Sequence, residues 1–163
     1  MTKIRKSFCV VCIANYCRSP VIENLLRRRF GSEYEFFSSG ISPISQPSMD
    51  PRSLKFLQDE DVSHDFHTPK KINLKMLNYF DIFLAVDFYV LNQLNTNYPK
   101  YKHKFCLVTG QLSGISIVDP YRLQDDGYER VMNDIKHVVE NINLEKLANR
   151  KKNGTIRGSG DNR

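Results

Sequence analysis

Cys12 is followed six residues later by Arg18 and then at once by Ser19, with Ile13-Ala14-Asn15-Tyr16-Cys17 between them. These residue types at this spacing suggest one chemistry. A thiol attacks as its thiolate, and converging backbone N–H groups at a helix start favour an anion. A guanidinium grips two phosphate oxygens as a fork, which an ammonium cannot do. Nucleophilic sulfur, phosphate cradle and arginine clamp are therefore consistent in one short loop. The bare C-x5-R spacing is common by chance. A buried strand before it and a helix after it narrow the reading.

Both elements are legible. Ser7–Cys12, rich in Val and Phe, reads as a buried strand. Ser19–Phe30 reads as a helix with Ile22, Leu26 and Phe30 in one stripe and Leu25 beside it. Pro20 suits its first turn, Gly31 its end, and Arg27, Arg28 and Arg29 favour the C-terminal dipole. Further strands are expected at Tyr34–Ser38, Ile82–Val86 and Phe105–Val108. Further helices are expected at Asp50–Gln58, near Phe88–Leu94, and along Tyr128, Val131, Ile135, Val138 and Ile142. Alternating strands and helices predict an α/β three-layer sandwich, with a four-stranded parallel sheet flanked by helices. Its strand-to-helix loops gather at one edge, the phosphate loop after the first strand among them.

Bulk composition sets the bounds. At 163 residues and 40% hydrophobic, the chain has the makings of one folded domain. The net charge of +6 is uneven. From Asn149 onward, Arg150, Lys151, Lys152, Arg157 and Arg163 face only Asp161, a net +4 that leaves +2 for residues 1–148. The division expected is one folded domain over 1–147, carrying the phosphate loop, and a flexible basic tail over 148–163. A basic face for nucleic acid is poorly supported; an acidic partner or membrane surface for the tail is a second reading. No apolar run reaches the length of a membrane span. Lys3, Arg5 and Lys6 before Phe8–Ala14 mimic a leader, but Asn15 and Arg18 follow with no cleavage site. The expected location is the cytoplasm. Cys9, Cys12, Cys17 and Cys106 make no disulfide framework. Cys9-x-x-Cys12 lacks the second pair or nearby histidine of a metal site, so no metal and no cofactor are expected.

Val11-Cys12-Ile13-Ala14-Asn15-Tyr16-Cys17-Arg18-Ser19-Pro20 resembles the phosphate loop of low-molecular-weight protein tyrosine phosphatases. Ser38-Ser39-Gly40 is similar to that family's SAG segment, Asp50-Pro51-Arg52 to its DPR helix start, and Asp119-Pro120-Tyr121 to its DPY acid loop. The resemblance spans Ser7 to Ile142. It implies hydrolysis of phosphotyrosine in proteins through a cysteinyl-phosphate on Cys12. Arg18 would clamp the phosphate, with the loop residues Ile13, Ala14, Asn15, Tyr16, Cys17 and Ser19 around it, and Asp119 would be the general acid. Ser19 would donate to the sulfur. Asn15, Ser38 and His67 would hold the loop's shape, and Tyr121 would form part of the cleft wall. It also implies a redox role for Cys17 as partner of an oxidised Cys12. A phosphotyrosine protein, with a tyrosine kinase as companion, is the expected partner.

Three departures carry expectations. Ala14 stands where the family usually has glycine, so a strained loop is expected there. Ile44, counted from Ser38, stands where an aromatic wall usually forms. Arg122 and Leu123 follow Tyr121 where the family often has tyrosine and glycine. The rival activities are arsenate reduction on the same fold, which needs further relay cysteines, and phosphate binding without turnover.

Overall fold

The computed structural model describes residues 5–110, 112 and 117–150. In chain order the elements are β1 (Ser7–Cys12), α1 (Ser19–Phe30), β2 (Glu35–Gly40), α2 (Pro51–Asp59), α3 (Leu74–Tyr79), β3 (Ile82–Ala85) and α4 (Phe88–Asn97). They continue with a 3₁₀ helix (Pro99–Lys104), β4 (Phe105–Leu107), α5 (Asp125–Asn141) and α6 (Leu144–Asn149). The four strands form one parallel sheet in the order β2-β1-β3-β4. All six residues of β1 are buried, as a central parallel strand with both faces covered requires.

The strand order fixes the layers. The crossover β1-α1-β2 runs one way across the sheet and β3-α4-β4 runs the other. Right-handed crossovers in opposite directions place α1 and α4 on opposite faces. Accordingly α1, α2 and α5 pack together, with α1 against β1 and β2, while α4 packs against β3 and β4. The direction reverses beside β1, and ligands of open α/β sheets bind outside the strand ends at such a point.

The expected elements are present with shifted ends. β2 runs from Glu35 to Gly40 because its whole length pairs with β1, Ser7 opposite Glu35 and Cys12 opposite Gly40. α5 begins at Asp125, where Asp125 and Asp126 suit the positive helix end. α3, the 3₁₀ helix and α6 were not anticipated. Asn73 and Asn143 cap α3 and α6 by accepting from Met76 N and Lys146 N. α6 also crosses the expected boundary at residue 147; the remainder of the tail, residues 151–163, lies outside the described residues. Among the described residues no helix is long and apolar enough to cross a membrane.

Candidate active site

The turn from β1 to α1 wraps around the Cys12 sulfur. Asn15 N donates to Sγ at 3.1 Å, and Ser19 Oγ lies 2.9 Å from it. Ser19 Oγ already accepts from Asn15 Nδ2 at 2.9 Å, which leaves its own proton to point at the sulfur. Two donors thus converge on Sγ.

Asn15 is the keystone of this turn. It is fully buried and holds φ at 52°, the left-handed region that non-glycine residues avoid. Every polar atom it has is used. Nδ2 donates to Ser19 and, at 3.1 Å, to Ser38 Oγ. Oδ1 accepts from Lys70 N at 2.9 Å, and the carbonyl accepts from His67 Nε2 at 2.8 Å. A carbonyl only accepts, so Nε2 carries the proton. Burial lowers the His67 pKa, and the bond to Asn15 opposes that shift in part. Ser38 is faced from α1 by the buried Glu23, whose pKa burial raises against the pull of Arg27 and Ser38.

The strain expected at Ala14 is absent. Among described non-glycine residues only Asn15 and Asp61 have positive φ. The loop's left-handed turn falls one residue later, on a side chain that hydrogen bonds hold in place. A close approach is instead made at Gly40. A Cβ there would stand 2.7 Å from Ile13 O and 2.9 Å from Asn15 N.

Arg18 is 2% exposed at the start of α1. Its Nη1 donates to Asp87 Oδ2 at 2.7 Å and to Ile117 O at 2.9 Å. Among the described residues its Nε and Nη2 have no partner, so one nitrogen orients the fork and two remain for oxygens of a ligand. Asp87 was not anticipated. The available signal was its place between a short apolar strand and a helix, where an aspartate caps; its Oδ1 accepts from Val90 N at 2.8 Å.

Cys12, Ile13, Ala14, Cys17, Arg18, Ile44, Asp119, Tyr121 and Arg122 line one cleft of about 200 Å3. Ile44 stands at the expected wall, its N–H donating to Ala14 O at 3.2 Å. Asp119 is exposed, and its Oδ1 accepts from Tyr121 N at 3.1 Å. Tyr16 does not line the cleft; its ring meets that of Tyr121 edge-on at 6.0 Å. Arg52 ties the segment after Asp119 to α2, donating to Leu123 O at 2.8 Å and Tyr121 O at 3.1 Å. Asp50 holds Arg52 through both its carboxylate oxygens, and the guanidinium lies 4.0 Å over the Tyr128 ring.

The other cysteines sit in quieter surroundings. Cys17 Sγ donates to Asp50 Oδ2 at 3.8 Å and also bonds the Tyr128 hydroxyl; burial pushes its pKa up to about 12. Burial pushes Cys9 up to about 12 as well, beside Ser39 Oγ at 3.3 Å. Cys106 lies on β4.

A buried sulfur with two converging donors, an arginine fork and a carboxylate at the rim, on a parallel four-stranded sheet, define a cysteine-dependent phosphate-handling enzyme class. The family model for low molecular weight phosphotyrosine protein phosphatase matches residues 7–153, and the chain belongs to that family. The low molecular weight protein-tyrosine-phosphatase Etp of Escherichia coli K12 is 30% identical over 125 residues, 77% of this chain and 84% of Etp. The crystal structure of the tyrosine phosphatase AmsI of Erwinia amylovora superposes with a TM-score of 0.76 at 25% identity, covering 84% of this chain and 90% of AmsI. The arginine phosphatase YwlE of Geobacillus stearothermophilus has the same fold, with a TM-score of 0.75 at 17% identity over 96% and 99% of the two chains.

Proposed function

We propose that this chain hydrolyses phosphotyrosine in proteins through a cysteinyl-phosphate. The observation that carries the reading is the Cys12 sulfur, held by Asn15 N and Ser19 Oγ in the same cleft as Arg18 and Asp119. In the first step the Cys12 sulfur attacks phosphorus and the tyrosyl oxygen leaves with a proton from Asp119. Arg18 Nε and Nη2 hold two of the phosphoryl oxygens as charge shifts in the transition state. In the second step the Asp119 carboxylate takes a proton from water, which attacks phosphorus and frees the thiolate and inorganic phosphate. Cys12 is 3% exposed at the cleft floor, so a long, flat aryl ester reaches it where the short arm of phosphoserine does not.

Arsenate reduction is not favoured, because the one cysteine distant in sequence, Cys106, lies on a strand rather than on a mobile relay segment. A tyrosine kinase as physiological companion follows from the same reading. The test compares phosphotyrosine, phosphoserine, phosphoarginine and arsenate as substrates of the wild type and of Cys12→Ser. Phosphotyrosine turnover should dominate and vanish in Cys12→Ser, which should still bind vanadate through Arg18 and the loop donors. Arg18→Lys should also fail, since a point charge cannot replace the fork. Substantial activity in Cys12→Ser would refute the cysteine mechanism, and preference for phosphoarginine would reassign the substrate.

A further inference from the structure

The cleft mouth has two lips, because β1 is flanked in the sheet by β2 and β3. The segment after β2 delivers Ile44, an aliphatic side chain, to one lip. The segment after β3 brings Asp87, just before α4, against Arg18 on the other side. The Arg18 fork pins this second lip: a single nitrogen, Nη1, bridges Asp87 Oδ2 and Ile117 O. Directly beyond those two acceptors stand large apolar side chains in water. Phe88 is 76% exposed and Tyr89 58%, and Val118, after Ile117, is 53% exposed. Their positions are fixed from below, since Val90 is fully buried and its N–H is bonded to Asp87. Phe88 and Tyr89 follow one acceptor of Arg18 and Val118 follows the other, so three exposed apolar side chains that the chemistry at Cys12 does not use stand within two residues of groups bonded to a cleft residue. Exposed apolar surface of this kind marks binding.

We infer that Phe88, Tyr89 and Val118 form a subsite for an apolar side chain flanking the phosphotyrosine of a peptide substrate. This rests on the phosphotyrosine reading above. The occupant is the substrate's own chain because Asp87 and Ile117, the sequence neighbours of these side chains, both bond Arg18, which lines the cleft. A phosphotyrosine seated on Cys12 must lead its neighbours out over a lip. An extended peptide advances about 3.3 Å per residue, so side chains within two or three positions reach this far. Ile44 gives the opposite lip no ring, so beyond Tyr121 of the cleft wall itself, sequence preference should be read on the β3 side.

The test uses phosphotyrosine peptides with leucine or phenylalanine against aspartate at the flanking positions, and nitrophenyl phosphate beside them. The wild type should show a KM lower by on the order of ten-fold for the apolar-flanked peptides. Phe88→Ser combined with Tyr89→Ser should remove that preference, raising peptide KM far more than nitrophenyl phosphate KM. Both rings are exposed, so the fold does not depend on them. Persistence of the preference in the double variant, or equal losses on peptide and nitrophenyl phosphate, would overturn the subsite. A wild-type dimer that the double variant dissolves would also overturn it, assigning the rings to a second copy of the chain. Normal turnover of nitrophenyl phosphate without any peptide preference would sink the subsite alone, whereas no turnover at all would sink the phosphatase reading with it.

Discussion

Asp119 offers one exposed carboxylate to the cleft, with Oδ1 already accepting from Tyr121 N. An acid helps most when the leaving oxygen is a strong base, and a tyrosyl phenol has a pKa of about 10. Asp119→Ala should cost roughly 10²–10⁴ in phosphotyrosine turnover and less on nitrophenyl phosphate, whose leaving anion is far more stable. Rate against leaving-group pKa should be shallow for wild type and steep for the variant; parallel losses would move the acid to Asp125 or Asp126. Asp87 acts differently, through Arg18. In Asp87→Asn the amide oxygen can still cap Val90 N, but the amide nitrogen then faces the guanidinium. Loss of one charge-assisted hydrogen bond is worth about 1.5–3 kcal/mol, roughly ten- to a hundredfold in kcat/KM. Steady-state kinetics beside a urea melt would separate this from unfolding, and unchanged kcat/KM would mean that Arg18 holds its pose without Asp87. That Cys12, Arg18 and Asp119 meet in one cleft was legible because motif and spacing mark them. Asp87 was not, because its partner lies 69 residues away and nothing local records the pairing.

At the scale of elements, the site depends on β1 and β2 remaining in register. Cys12 pairs with Gly40, and the chain beyond Gly40 runs beside the loop, with Ile41 N bonded to Cys12 O and Ser42 N to Ile13 O. An added Cβ at Gly40 meets backbone atoms on the loop side, which cannot swing away as a side chain can. Gly40→Ala should therefore cost about 1–3 kcal/mol in stability and loosen the donors around Cys12. Urea denaturation and vanadate affinity should fall together. A variant of wild-type stability with full activity would show that the two strands can part without cost. The apolar stripes of α1 and α5 and the buried run of β1 made these elements readable. α3 and α6 were not, since helices of six residues are too short for a periodic stripe and are marginal alone. They persist through caps and tertiary bonds, such as Lys104 Nζ donating to Leu77 O and Phe80 O at the end of α3. The arginines at the end of α1 likewise do more than complement its dipole. Arg27 donates to Phe36 O on β2, Arg28 to Glu60 O just after α2, and Arg29 to Val139 O on α5.

Across the whole molecule, Cys17 joins parts that the sequence keeps far apart. It belongs to the phosphate loop, yet its thiol bonds Asp50 ahead of α2 and Tyr128 on α5, and Ser53 Oγ donates to its carbonyl at 2.8 Å. Its nearness to Cys12 in the loop was legible, but this tertiary clamp was not. The clamp changes what oxidation should do. Peroxide converts the Cys12 thiolate to a sulfenic acid; the Cys17 sulfur then attacks it, forming the disulfide and releasing water. That attack needs a Cys17 thiolate, and a pKa pushed up to about 12 keeps the thiolate scarce at neutral pH. Closure should therefore accelerate about ten-fold per pH unit below that value. It must also draw Cys17 away from Asp50 and Tyr128, giving up both of its thiol's hydrogen bonds, so the oxidised form should melt below the reduced one. Peptide mapping after mild peroxide at several pH values, with melting curves of both forms, checks each step. A disulfide between Cys12 and Cys17 whose formation rises with pH, in a protein of lower Tm, is the expected result. Overoxidised Cys12 with Cys17 still free at every pH would mean that the clamp keeps Cys17 out of redox chemistry altogether.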